Sequence, residues 1–191
     1  MVIQGESVFL VSFREEPPTI ELFTKWMGDP EVTRFLGMTP LSVEQARIYF
    51  ESITAKQEEY FTILEKMSGR PIGYIFLTGI LLSHRVAREM GIVIGEKDCW
   101  GRGYGSEATR LILEYGFGEL GLYRIELLVL DFNVRAKNIY DKLGFIVEGV
   151  QRQARIVNGR RRDVFMMACL RSNFYLTQGE REQMESAEST E

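Results

Sequence analysis

Three glycines at alternate positions, Gly101, Gly103 and Gly105, run directly into a segment with the apolar spacing of a helix. Glycine caps a helix less well than Ser, Asp or Asn, but it permits unusual backbone conformations and the close approach of another molecule. The first helical turn also presents unpaired N–H groups and the positive end of the dipole. The pattern therefore predicts a phosphate site. The alternative is a glycine-rich turn that only packs the helix against a sheet.

Two familiar nucleotide motifs do not fit this loop. A dinucleotide-binding G-x-G-x-x-G would place its third glycine at position 106, which is Ser106. The acidic residue expected about 20 positions later is also hard to place, because Glu126 lies inside a predicted strand. A P-loop requires G-x-x-x-x-G-K-[ST], and the sequence has no such run. If this loop binds a phosphate, the ligand is of another class than those two motifs bind.

The elements around the loop follow the order β-α-α-β-β-β-α-β-α-β-β. Seven segments have strand patterns: residues 7–13, 59–66, 71–80, 87–97, 123–131, 145–150 and 163–170. Ser42 and Gln45 form a capping-box pattern at a helix start, and Asn158-Gly159 is a strong hairpin signal. The three middle strands favour an antiparallel meander, and the strand–loop–helix–strand unit favours a right-handed parallel crossover.

Composition places the chain among ordinary globular proteins. It has 191 residues, 45% hydrophobic and 26% charged, which predicts one domain over residues 1–177. Residues 178–191 carry five glutamates and one arginine and so account for the whole net charge of −4; we expect them to be a disordered acidic tail. A neutral body gives no reason to expect nucleic-acid binding.

The cysteines, the histidine and the apolar runs indicate whether the protein binds a metal and where in the cell it is located. The sequence has two separated cysteines and one histidine, so we expect no metal site. No apolar run is long enough to cross a membrane, and the N-terminus lacks the basic start of a signal peptide. These features predict a cytoplasmic protein without membrane contact, as a monomer or a homodimer.

Three stretches in order resemble the GNAT superfamily of acyl-CoA N-acetyltransferases. They are DPEVTRFLG (29–37), AREMGIVIGEKDCWGRGYGSEA (87–108) and NVRAKNIYDKLGFIVEG (133–149), and they are most similar to the branch of ribosomal-protein N-terminal and spermidine acetyltransferases. The family's loop, [QR]-x-x-G-x-[GA], falls on Trp100 to Gly105, with Trp100 as a departure. The resemblance implies a mixed α/β fold: a mostly antiparallel sheet of about seven strands, helices on both faces and a central parallel crossover.

The same resemblance implies acetyl-CoA as the co-substrate. Main-chain amides of residues 102–106 would hold its pyrophosphate, and the edge of the splayed strand before the loop would bind its pantetheine arm. Asn133 would contact the pantetheine, and Lys137 would approach a phosphate. The implied cofactor-binding set is Ile92, Val93, Ile94, Trp100, Gly101, Arg102, Gly103, Tyr104, Gly105, Ser106, Asn133 and Lys137.

The resemblance also implies two catalytic residues. The pattern N-x-x-A-x-x-x-Y-x-K-x-G-F puts the phenol of Tyr140 beside the cofactor sulfur, where it can protonate the departing thiolate; taken alone, this tyrosine would be a packing residue. Glu89 is the best-placed carboxylate for removing the proton of the acceptor, with a solvated strand-edge glutamate as the alternative. Since no Ser-His-Asp or Cys-His set occurs, we expect direct attack without an acyl-enzyme.

The predicted activity is acetyl transfer from acetyl-CoA to a primary amine, foremost a protein or peptide N-terminus. A polyamine, an aminoglycoside or an amino sugar is the alternative acceptor, and a non-catalytic acyl-CoA-binding module is the alternative class. The predicted final hairpin carries five arginines, at positions 152, 155, 160, 161 and 162. They either form a solvated face that discourages edge pairing or contact an acidic partner or a cofactor phosphate. Arginines near a substrate mouth would disfavour a polyamine.

Overall fold

A computed structural model describes residues 1–56, 58–177 and 179. The predicted acidic tail at 178–191 lies outside these residues, apart from residue 179. The strands are β1 Val2–Gln4, β2 Val8–Ser12, β3 Glu59–Glu65, β4 Pro71–Leu81, β5 Val86–Ile94, β6 Arg124–Leu130, β7 Phe145–Val157 and β8 Arg160–Leu170. The helices are α1 Ile20–Gly28, α2 Pro30–Thr33, α3 Val43–Thr54, α4 Tyr104–Gly118 and α5 Val134–Lys142. Short 3-10 turns occupy Arg34–Leu36 and Lys97–Cys99, and residues 171–177 are helical.

All eight strands form one sheet in the order β1-β2-β3-β4-β5-β6-β8-β7. Every pairing is antiparallel except that of β5 with β6, which α4 connects. The predicted mixed, mostly antiparallel sheet with a central parallel crossover is therefore confirmed. The structure has one strand more than the expected seven, because β1 pairs with β2 at the edge. With three residues, β1 is too short to give a periodic signal in the sequence.

Local sequence signals explain several element boundaries. The Ser42 hydroxyl and the Gln45 amide side chain form the reciprocal capping box that starts α3. Asn158 and Gly159 both have positive φ angles, 50° and 72°, as a type I′ hairpin turn requires. Strands β7 and β8 continue to this turn, so the hairpin is longer than the sequence pattern indicated. Its polar, arginine-rich arms lack the apolar alternation by which a strand is recognised.

Helices cover both faces of the sheet, as expected. On one face, α1 and α3 pack through Phe23, Trp26 and Ala46. On the other face, α4 packs through residues such as Ile112 and Phe117. Successive strand residues point to opposite faces, so β4 contributes alternately to the two layers. No helix in the described part of the chain is long and apolar enough to span a membrane.

The sheet opens where its only parallel pair of strands meets. Strands β5 and β6 are paired at just two positions, Val86 with Arg124 and Ala87 with Ile125. Beyond these pairs β5 continues to Ile94 alongside β4, and β6 continues to Leu130 alongside β8. One side of β5 thus lacks a neighbouring strand over most of its length. The resulting gap positions the candidate site.

Candidate active site

A cleft of about 480 Å³ lies where β5 and β6 diverge. It brings together most of the residues singled out in the sequence, from β5, the glycine-rich loop, the start of α4 and α5. The predicted site residues that line it are Glu89, Ile92, Val93, Ile94, Trp100, Gly103, Gly105, Ser106, Asn133 and Tyr140. Residues as far apart in sequence as Glu89 and Tyr140 therefore share one site.

The unpaired edge of β5 offers main-chain groups to this cleft. In an antiparallel pair, consecutive residues alternate between bonding across to the partner strand and facing away. The Gly95 amide donates to the Ile72 carbonyl of β4 at 2.9 Å, so Gly95 and, by alternation, Val93 face β4. Ile92 and Ile94 direct their main-chain groups to the open side, where the Ile94 carbonyl accepts from the Trp100 indole, so the N–H and C=O of Ile92 and the N–H of Ile94 are left for a ligand. A ligand strand could bond there as an added strand would.

The glycine-rich loop ends in a helix start with unpaired amides. Gly101 and Gly103 have φ angles of +87° and +85°, a region that side chains disfavour. The first main-chain bond of α4 runs from the Glu107 amide to the Gly103 carbonyl at 3.0 Å. The amides before it point out of the helix, as an anion site requires. A Cβ on Gly103 would meet no atom within 4 Å, so the space beside it is open to a ligand.

Trp100 fixes this loop to the end of β5. Its indole N–H donates to the Ile94 carbonyl at 2.8 Å, and its ring meets the ring of Phe35 edge-on at 6.1 Å. The family pattern has Gln or Arg at this position. Where the family's Gln or Arg could contact a ligand, Trp100 instead makes these two contacts within the protein. The main-chain amides of the loop are unaffected by this difference.

A second clamp holds the same end of β5 from the other side. The Glu96 carboxylate accepts from the Lys25 ammonium at 2.7 Å and from the Trp26 indole at 2.8 Å. Burial alone would raise the pKa of Glu96, but these two hydrogen bonds outweigh it and the pKa is lowered. The carboxylate thus stays charged and ties α1 to the strand that leads into the loop.

Helix α5 supplies an amide and a phenol. Asn133 caps the helix through its Oδ1, which accepts from the Ala136 amide at 3.3 Å, so its NH₂ group remains available to the cleft. Tyr140 is buried, packs with its ring tilted by 56° against Phe145 at 5.5 Å between ring centres, and makes no hydrogen bond within the described residues. Burial raises its pKa to about 12. The phenol is therefore held protonated at neutral pH, the form that can donate.

Glu89 lines the cleft on β5, opposite Thr78 of β4. Its side chain is exposed, so water can reach it. Burial and then the negative charge of Glu89 raise the pKa of Tyr49, which places this carboxylate within electrostatic range of the α3 tyrosine. The cleft thus holds a solvent-accessible carboxylate and a protonated phenol, the two proton-transfer groups that amine acylation needs.

Residues 8–146 match the family model described as "Acetyltransferase (GNAT) domain". The chain belongs to the GNAT acetyltransferase family. It is 31% identical to the uncharacterized N-acetyltransferase p20 of Bacillus licheniformis, over 81% of this chain and 88% of that protein. It is 34% identical to the spermidine N(1)-acetyltransferase of Escherichia coli, over 71% of this chain and 70% of that protein.

The fold comparison agrees. The crystal structure of spermidine N-acetyltransferase from Vibrio cholerae in complex with CoA and spermine superposes with a TM-score of 0.78 and 25% identity, over 90% of this chain and 99% of that chain. The resemblance inferred from the sequence is therefore confirmed. This GNAT acetyltransferase transfers an acetyl group from acetyl-CoA, and the free amides of its loop and the open edge of β5 fit that co-substrate.

Four of the predicted cofactor residues do not line the cleft. Gly101 lies at the back of the loop. Arg102 and Tyr104 turn towards Glu65, at 4.0 Å and 2.8 Å, and Lys137 pairs with Asp141 at 2.7 Å. Their side chains therefore support the loop and α5 in this structure, although the amides of Arg102 and Tyr104 remain part of the helix start.

Sequence reasoning missed Arg135, which lies on the first turn of α5 and lines the cleft. Its guanidinium is 4.0 Å from a Cβ built on Gly101, so it reaches the phosphate loop that Lys137 does not reach. The signal was present, because Arg135 directly follows the Asn133-Val134 cap in the matched motif. Only the packing of α5 against the loop distinguishes the two basic residues.

The part of the cleft away from β5 and the glycine-rich loop, which we call the acceptor end, has a different lining. Aromatic and apolar residues from separate elements line it, namely Val32, Phe35, Leu36, Met38, Tyr49, Tyr74 and Phe76. Two further arginines, Arg34 and Arg155, also line it. Within the described residues, the charged groups of the whole cleft are thus three guanidiniums and the one carboxylate of Glu89.

Proposed function

We propose that this acetyltransferase acetylates the N-terminal amine of a protein or peptide. The balance of charge in the cleft carries this proposal. Arg34 and Arg155 line the acceptor end of the cleft, whose only carboxylate among the described residues is that of Glu89, and a cleft of this kind suits an acceptor with one ammonium and several carbonyl groups. Guanidinium groups donate readily to such oxygens, and Glu89 attracts the one positive charge that must enter.

Glu89 and Tyr140 carry the proton transfers of this reaction. The thioester of acetyl-CoA supplies the activated acetyl group. Glu89 removes a proton from the acceptor ammonium, through a water molecule, because an amine with a pKa near 8 to 10 is largely protonated at neutral pH. The freed nitrogen attacks the thioester carbonyl directly. Tyr140 donates its proton to the sulfur as the carbon–sulfur bond breaks; the second proton, which the nitrogen loses on becoming an amide, passes to water, and water returns a proton to Tyr140.

Main-chain groups hold the cofactor during this reaction. The amides of residues 102–106 bind the pyrophosphate, Arg135 adds a charged contact, and Ile92 and Ile94 bond to the pantetheine arm. The NH₂ group of Asn133 donates to a pantetheine carbonyl. The buried position of Tyr140 supports its role, since a hydroxyl that lacks an internal partner is free to serve a ligand.

A polyamine is the second candidate acceptor. The names of two relatives favour it, namely the spermidine acetyltransferases of Escherichia coli and Vibrio cholerae. Against it, a polyamine carries two or more ammonium groups, and Arg34 and Arg155 would repel the ammonium that does not react. Only one carboxylate among the described cleft residues would offset that repulsion.

An acceptor comparison tests the proposal. The enzyme is incubated with acetyl-CoA and each of three amines: a peptide with a free N-terminal serine, the same peptide with a blocked N-terminus and an internal lysine, and spermidine. Thiol release gives kcat/KM, and mass spectrometry locates the acetyl group. We expect the free-terminus peptide to have the highest kcat/KM, with the acetyl group on its α-amine. A higher kcat/KM for spermidine would overturn the proposal in favour of the polyamine.

A further inference from the structure

A second hollow, of about 370 Å³, shares Arg34 with the cleft. Its lining includes Arg160 and Arg162 from the β7–β8 hairpin, while Arg155 of the same hairpin reaches the cleft itself. A continuous cationic surface thus leads away from the acceptor end of the cleft. We call its four members, Arg34, Arg155, Arg160 and Arg162, the arginine trough.

Strand geometry puts the hairpin arginines of the trough on one face. Arg155 is paired with Arg162 across the strands, and Val157 is paired with Arg160. Since side chains alternate along a strand, these positions share a face, and Arg161 lies on the opposite face. Like charges directly opposite each other destabilise a sheet. Electrostatic repulsion between Arg155 and Arg162 therefore lowers the stability of the hairpin. An anion bound between the two guanidiniums would remove that repulsion.

The trough has little internal charge to neutralise it. Arg34, Arg155 and Arg160 form no ion pair within the described residues, whereas other arginines such as Arg70 and Arg124 are paired with carboxylates at 2.6 Å or closer. Arg162 stands over the Phe132 ring at 5.0 Å and has only the distant Asp131, at 3.8 Å.

Two buried polar atoms beside the trough also lack partners. The Nε of Arg162 and the Oδ1 of Asp131 are both buried and have no hydrogen-bond partner in the described part of the chain. Buried polar groups are nearly always bonded, so Asp131 at 3.8 Å leaves the guanidinium of Arg162 incompletely paired; the Arg162 side chain is 33% exposed, so the part outside the buried Nε can meet a further acceptor. Stacking on Phe132 holds the guanidinium plane ready for a planar acceptor such as a carboxylate.

We infer that the trough binds acidic side chains that follow the reacting N-terminus, so that the enzyme prefers peptides with Asp or Glu directly after their first residue. This inference rests on the proposed acetylation of peptide N-termini. An extended peptide and the hairpin strands both advance about 3.3 Å per residue. Because its side chains alternate, a peptide that leaves the cleft along the hairpin presents every second side chain to the trough, about 6.6 Å apart, first to Arg155 and Arg162 and then to Arg160.

A nucleic acid fits this position less well. The trough opens directly onto a cleft for a basic, nucleophilic amine. The exocyclic amino groups of nucleobases are neither basic nor nucleophilic. The body of the chain, residues 1–177, is neutral overall, so it offers no broad positive surface to a long polyanion. A short acidic segment engages the local positive surface without meeting the rest of the molecule.

Matched peptides and matched variants test the inference. Three peptides share a free N-terminal serine and differ only in the next three residues, which are Glu, Gln or Lys. The variants are Arg160→Gln in the trough and Arg161→Gln on the opposite face, which remove the same charge from the same hairpin. The readouts are kcat/KM for each peptide at low and high salt, and binding of a labelled oligouridylate.

In the parent enzyme we expect the glutamate peptide to exceed the glutamine peptide about fivefold in kcat/KM, as expected for one or two partly exposed ion pairs. Arg160→Gln should reduce this ratio to about two, and Arg161→Gln should leave it unchanged. High salt should abolish the preference. Equal kcat/KM for the three peptides would overturn the inference while leaving peptide acetylation intact.

Two other results separate the remaining possibilities. If the parent enzyme acetylates spermidine but none of the three peptides, the proposed function itself is overturned. Oligouridylate binding that Arg160→Gln removes, with peptide kinetics unaltered, would make the trough a nucleic-acid surface and so also overturn the inference.

Discussion

The two ends of the cleft are built from different parts of the chain. At the cofactor end, one continuous segment from Ile92 to Ser106 presents main-chain groups of the open β5 edge and of the α4 start. At the acceptor end, side chains from α2, α3, β4 and the β7–β8 hairpin meet without any shared sequence pattern. A main-chain site tolerates many side chains provided that its glycines stay, whereas a side-chain site changes with each substitution. One fold can therefore keep its co-substrate while its acceptor varies.

The largest expected effect is at Tyr140, where the two ends meet. Tyr140→Phe keeps the ring and its packing on Phe145 but removes the proton, so turnover should fall about 10²–10⁴-fold with CoA affinity unchanged. Because the hydroxyl has no partner among the described residues, the melting temperature should not fall. Single-turnover thiol release, calorimetry and thermal unfolding measure the three quantities.

Tyr115→Phe is the matched control for this substitution. Tyr115 is also buried, but it donates to Glu59 at 3.0 Å outside the cleft. Its loss should lower the free energy of unfolding by about 1 kcal/mol and leave turnover intact. A Tyr140→Phe enzyme as fast as the parent, with chemistry rate-limiting, would make Tyr140 a packing residue.

The main-chain character of the cofactor end can be tested at Gly103. Gly103→Val puts a branched side chain at φ +85° into the open space beside the helix start, so we expect CoA affinity to fall about 100-fold. Gly121→Val is the control, because Gly121 also has a positive φ, +62°, and open space around it, but lies outside the cleft. Calorimetry should show normal CoA binding by Gly121→Val; an equal loss in both variants would attribute the effect to strain.

Glu89 tests the proton transfer on the acceptor side. Glu89→Gln should reduce kcat about tenfold to a hundredfold. Glu119→Gln, which removes a carboxylate from the surface, is the control and should keep the kcat of the parent. Single-turnover rates of the parent and the two variants at one neutral pH decide between Glu89 and solvent as the base; a Glu89→Gln rate equal to that of the parent would make solvent the base.

The smallest expected effect separates two basic residues on α5. Arg135→Gln should weaken CoA binding about fivefold, because its guanidinium reaches the glycine-rich loop. Lys137→Gln should leave CoA affinity unchanged, since the lysine is occupied by Asp141 at 2.7 Å. Calorimetric titration at low salt measures both. The reverse order would return the phosphate contact to Lys137.

The sequence predicted the cofactor end far better than the acceptor end, for a physical reason. Gly101, Gly103 and the helix after them encode their backbone conformation locally, and the strand pattern before them is periodic. The edge strand β1 was missed because three residues carry no period. The aromatic lining of the acceptor end was missed because Phe35, Tyr49 and Tyr74 become neighbours only through tertiary packing. Lys137 and Arg135 are both basic residues of α5, and the packing of α5 against the loop, which brings Arg135 into the cleft, becomes visible only in the structure.

Amide hydrogen exchange tests the division of the cleft most directly, because it reads the main-chain groups themselves. CoA alone should slow exchange in peptides covering residues 92–94 and 103–106, and leave the hairpin over residues 155–162 unchanged. Adding the glutamate peptide should then slow exchange in the hairpin and around Arg34. Unchanged exchange at residues 103–106 with saturating CoA would contradict the main-chain cofactor site.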